Sequence, residues 1–91
     1  MERDLWVAWL NVSERTAEKI QHLHRLTEDE VRDAVVCTEN LTYTWDDDPE
    51  RGLRAIVETH IRSRKVLIVL YPADDSFEDE YNLGSAYPVN S

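Results

Sequence analysis

The run Val66-Leu67-Ile68-Val69-Leu70-Tyr71 constrains this chain more than any other segment. Six apolar residues without a polar alternate cannot line a half-exposed surface. They are also far too few to cross a bilayer, which takes about 20 residues. The reading that fits is a strand apolar on both faces, and therefore the central and most buried strand of a sheet. The segment before it, Leu53–Ile61, alternates instead. Ala55, Val57, Thr59 and Ile61 fall on one side, and Arg54, Ile56, Glu58, His60 and Arg62 on the other, by the period of two. Between the two segments lies Arg62-Ser63-Arg64-Lys65, which predicts a hairpin with a basic turn.

The rest of the chain supplies partners for that hairpin. Leu5–Leu10 is apolar and aromatic-rich and predicts a short strand. Asn11 or Ser13 can cap a helix whose apolar face is Ala17, Ile20, Leu23 and His24. Thr27-Glu28-Asp29-Glu30 has the form of a capping box, flanked by Leu26 and Val31 as a hydrophobic staple. Leu41–Trp45 reads as a strand ending in the loop Asp46-Asp47-Asp48-Pro49. Pro72–Ser76 ends the central strand, and Glu78-Asp79-Glu80 leads to a last strand at Tyr81–Tyr87, interrupted by Gly84 and stopped by Pro88. The order is strand, helix, helix, then a meander of strands. It predicts one α+β domain over residues 1–91, with two N-terminal helices packed on a twisted antiparallel sheet of about four strands. Trp6, Trp9 and Trp45 are expected in its core as the main supply of apolar area, and Cys37, after Ala34-Val35-Val36, as a packed thiol.

Charge is unevenly distributed along this order. The 91 residues carry ten lysines and arginines against nineteen carboxylates, a formal charge of −9. Arg51, Arg54, Arg62, Arg64 and Lys65 nevertheless fall in one short window with only Glu58 against them. A local cationic edge can bind phosphate or an acidic chain even in an acidic protein. The overall charge argues against non-specific nucleic-acid binding, which depends on neutralising phosphates. A lone cysteine allows no internal disulfide and predicts a reducing compartment. With no cationic, apolar leader at the N-terminus, the expectation is a soluble cytoplasmic protein that makes no use of a membrane.

The phrase His24-Arg25-Leu26-Thr27-Glu28-Asp29-Glu30-Val31, followed by the strand pair Arg54–Ile61 and Lys65–Tyr71, resembles the RelE/ParE-like toxin superfamily, in its BrnT-like or DUF4258-like branch. The resemblance is one of layout and covers residues 5–87. It implies the toxin of a bacterial type II toxin–antitoxin pair: a metal-independent mRNA endoribonuclease that needs no cofactor and is held by an antitoxin-like partner. Such chemistry takes a general acid or base and cations for the charge developing on phosphate. Carried onto this chain, the catalytic candidates are His60, Arg62 and Tyr87, with Tyr71 as a further acid–base group, and the binding candidates are Arg54, Arg64 and Lys65. The last strand, Tyr81–Tyr87, departs from the family by carrying no cation, and acidic residues precede it. Activity degenerate in catalysis is one expectation. The alternative is a non-catalytic interaction module on the same fold, docking a partner chain or a second copy of itself. Neither His22, His24 and His60 nor Asp46–Glu50 has the spacing of a zinc or calcium site, so no metal is expected.

Overall fold

The helices begin where short polar side chains replace missing backbone partners. In a computed structural model of the chain, which describes residues 5–73 and 79–89, Ser13 caps α1 (Glu14–His24) by accepting from the Thr16 amide. Arg25, in the left-handed conformation at φ 57°, ends that helix. Thr27 caps α2 (Glu28–Val35) through the full capping box. The Glu30 amide donates to Thr27 Oγ1 at 3.1 Å, and the Thr27 amide donates to Glu30 Oε1 at 3.0 Å. Leu26 and Val31, on either side of that cap, are both fully buried, as a hydrophobic staple requires.

Five strands follow the chain as β1 (Trp9–Asn11), β2 (Thr42–Asp48), β3 (Gly52–Ile61), β4 (Arg64–Pro72) and β5 (Glu80–Pro88). They form one sheet in the order β1-β5-β4-β3-β2. The apolar run lies in β4, the middle strand, as its composition requires. β3 and β4 are joined by a two-residue turn, Arg62-Ser63, both at positive φ (51° and 66°). That is the geometry that matches the right-handed twist of a hairpin.

The sheet differs from the sequence expectation in count and direction. It has five strands, and it is mixed, because β1 pairs parallel with β5. The cause is connectivity. The chain leaves β1 through two helices, makes a three-strand meander, and returns in β5 running the same way as β1. The N-terminal run is also divided between two partners: Val7 bridges Val36, while Trp9–Asn11 pair with β5. β2 extends through Asp46–Asp48, expected as a loop, because Asp46 stands directly across from Arg54. Opposite charges facing each other across an antiparallel pair stabilise the ladder.

One side of the sheet carries the core. Ala55, Val57, Val66, Ile68, Leu70 and Ala86 are fully buried there, under Ile20 of α1 and Val31 and Val35 of α2. Some residues expected inside are outside. Trp9 is 62% exposed and Leu23 63%, while Trp6 and Trp45 are half-buried. Leu23 belongs to the helical period but falls on α1's outer flank, since a single small sheet covers only a narrow stripe. Cys37 is exposed. Its φ of 53° turns the chain just after α2, while its amide donates to the Val7 carbonyl at 2.7 Å. Among the described residues no helix is long and apolar enough to cross a membrane. Asp74–Ser76 and Glu78, which enter the sequence reading, lie outside those residues.

Candidate functional site

The side of the sheet that carries no helix among the described residues is the natural place for a ligand, and its residues follow from register. Val66, Ile68 and Leu70 face the core, so Lys65, Leu67, Val69 and Tyr71 face away from it. The partners of Lys65, Leu67 and Val69 on β3, namely His60, Glu58 and Ile56, share that side, and Arg54 joins them by alternation along the strand. Across β5, Tyr87 stands opposite Leu67 and Ser85 opposite Val69. Tyr43, paired with Val57, belongs to the helix side. It packs there against the core cluster.

The two ends of this surface are built differently. At the β2–β3 end, Arg54 Nε donates to Asp46 Oδ2 at 2.8 Å. The same guanidinium lies 2.6 Å from Asp46 and 3.5 Å from Asp48. Tyr71 donates its hydroxyl to Asp48 at 3.2 Å, and the Arg51 guanidinium sits 4.2 Å above the Tyr71 ring. The ring can lie there because β5 carries Gly84 where the β4–β5 register shifts. A Cβ at residue 84 would stand 2.4 Å from a Tyr71 ring carbon. The Glu50 amide, donating to Asp48 at 2.9 Å, is the largest cause holding the Asp48 carboxyl below its ordinary range, with Tyr71 and Arg54 adding to it. Arg54 is raised, first by its bond to Asp46.

At the β3–β4 turn the cations reach the helices. Arg62 forms an ion pair with Glu30 at 2.7 Å and also donates to the Arg25 carbonyl. Arg64 donates to the His24 carbonyl at 3.1 Å. Both therefore grip the corner between α1 and α2, where the last carbonyls of α1 favour positive charge. Glu30 is held below the ordinary glutamate range, first by the Thr27 amide and then by Arg62. Lys65 pairs with Glu58 at 3.0 Å.

The residues singled out in sequence are thus dispersed. Arg62 does not project beside Arg54 and His60, because positive φ in the turn breaks the alternation and sends it to Glu30. His60 is exposed across from Lys65. It stands two strands away from Tyr87, about 10 Å sideways at the usual strand spacing, too far for both to act on one phosphodiester. The ring near Tyr87 is instead His24, at 6.4 Å between centroids and tilted by 48°. His24 was legible in sequence only as the end of an apolar helix face. Its approach to the last strand depends on how α1 packs.

A groove of about 500 Å³ opens where β1 gives way to α1, lined by Trp9, Asn11, Thr16, Arg32, Arg51 and Asn82. Arg32 there is paired with Glu28 at 2.6 Å and donates to the Leu10 carbonyl at 3.2 Å. Among the described residues no cluster of histidine, cysteine and carboxylates is disposed to hold a metal. Comparison with protein families, with curated proteins and with solved structures finds no match for this chain.

Proposed function

We propose that this domain acts by binding another protein chain, as a non-catalytic interaction module with a RelE/BrnT-like layout, in the cytoplasm. One observation carries the reading. Arg54, Arg62, Arg64 and Lys65, the cations a nuclease would offer to phosphate, are each engaged by carboxylates or helix-end carbonyls of the chain itself. Binding RNA through them would mean breaking those pairs on a surface that already carries an excess of negative charge. The partner is an antitoxin-like chain or a second copy.

A second reading, an active endoribonuclease toxin, is favoured by one specific contact. His24 and Tyr87 approach each other beside Arg64, giving an acid–base pair next to a cation. The experiment is to incubate the partner-free protein with a long unstructured RNA and with translating ribosomes, and to follow growth on expression. The expected outcome is intact RNA and normal growth. Cleavage that is lost in Tyr87→Phe or His24→Ala, with folding retained, would establish the nuclease and overturn the binding reading.

A further inference from the structure

We propose that the outer edge of β2 is a docking strand, and that its occupant is an extended segment of another protein in which basic and apolar residues alternate. The proposal rests on the binding reading above and names the partner's chemistry. β2 ends the sheet: it is bonded to β3 on one side, and among the described residues no strand covers the other. Its seven residues contrast with the three of β1 at the opposite edge. A strand paired on one side leaves about half of its amides and carbonyls pointing outward, ready for an added strand.

The side chains of β2 say what such a strand must carry. Period two puts Thr42, Thr44, Asp46 and Asp48 on the uncovered side and Tyr43, Trp45 and Asp47 on the helix side. Tyr43 and Trp45 are half-buried. They meet edge to face at 6.1 Å, and Leu53, across from Asp47, is 51% exposed. An incoming strand with apolar residues on the helix side would complete the burial of this aromatic row. Its other residues would lie beside Asp46 and Asp48, which share the single arginine Arg54. Cations are therefore the complementary choice there. A second copy of this chain is the poorer occupant, since it brings three more aspartates to the seam and another formal charge of −9. The aspartates thus act in two ways at once: they discourage self-pairing, as charges on edge strands do, and they select a basic partner.

The test titrates the isotope-labelled full chain with a short synthetic peptide in which lysine and valine alternate. Two controls accompany it: the same composition with the lysines in one block, and the alternating peptide with glutamate for lysine. The alternating lysine peptide should shift the amides of residues 42–48 and slow their hydrogen exchange, more weakly as salt rises. The block peptide should bind about tenfold less tightly and the glutamate peptide not at all. Thr44→Lys, at an exposed position, should cost about tenfold in affinity with an unchanged melting curve. Thr42→Lys, exposed on the same side of the strand as Thr44, provides a second variant with the same expectation. Equal affinity for the block peptide, shifts confined to another surface, or no binding would overturn the docking strand. So would a chain already dimeric through protected β2 amides. If RNA is cleaved, the binding reading itself falls. If RNA stays intact and the peptide does not reach β2, only the docking strand falls.

Discussion

The two charged ends of the sheet use the same pairing chemistry for different purposes. At the β3–β4 turn, Arg62 and Arg64 cross from the sheet to the α1–α2 corner and fasten one layer to the other. At the β2–β3 end, Arg54, Asp46, Asp48, Tyr71 and Arg51 are all sheet or turn residues, and their contacts tie the sheet to itself. The first end uses up its cations against helix-end carbonyls and Glu30. The second, with Asp47 and Glu50 counted beside Asp46 and Asp48, sets four carboxylates against Arg51 and Arg54 and remains electrostatically unsaturated. A run of like charges in sequence therefore says little about where free charge resides. What matters is whether a complementary group is delivered by another layer.

The sharpest way to break this comparison is Gly84→Ala. The added methyl meets the Tyr71 ring at 2.4 Å, and the ring is held at its hydroxyl by Asp48 and over one face by Arg51. Overpacking of this kind costs about 1–3 kcal/mol. A melting curve should show the loss, and hydrogen exchange should place it at the β2–β3 end while the α1–α2 corner stays protected. Equal loosening of both ends would mean that they form one unit.

Thr27→Ala acts on the other end. It removes the hydroxyl that accepts from Glu30 and should cost about 0.5–2 kcal/mol. Because Glu30 also holds Arg62, the β3–β4 turn should gain mobility together with the start of α2. A melt unchanged within error would refute the cap as the anchor of that turn.

The gentlest probe is acid. Glu30 and Asp48 are both held below their ordinary values of 4.5 and 3.8. The folded chain therefore binds protons less readily than the unfolded one, and stability must fall as pH drops. Their contribution is complete above those ordinary values and is lost as pH falls through the lower folded-state values. Glu30→Gln should flatten the acid limb of the stability curve on account of the corner, and Asp48→Asn on account of the β2–β3 end. Unfolding measured across that range in both variants checks the assignment. An acid limb identical to wild type in both would place the sensitivity elsewhere.

Much of the fold was written locally. Val66–Tyr71 had to be a central strand because no other arrangement buries both of its faces. Thr27 to Glu30 had to start a helix because the capping bonds span only three residues. The alternation of Leu53–Ile61 specified which of its residues face the core. These features depend on neighbours a few positions away, so the sequence carries them directly. The destinations of long side chains are a different matter. Sequence placed Arg62 beside His60, but a left-handed turn residue sent it to Glu30, some thirty positions earlier in the chain. Sequence made Asp46–Asp48 a loop, but Arg54 across the ladder drew them into a strand. Trp9, an aromatic expected inside, ended on a three-residue edge strand, 62% exposed. The parallel pairing of β1 with β5, the approach of His24 to Tyr87 and the open edge of β2 were decided only when the layers came together. Each depends on contacts between residues far apart in the chain, and a local pattern of hydrophobicity and charge does not encode which distant partner will arrive.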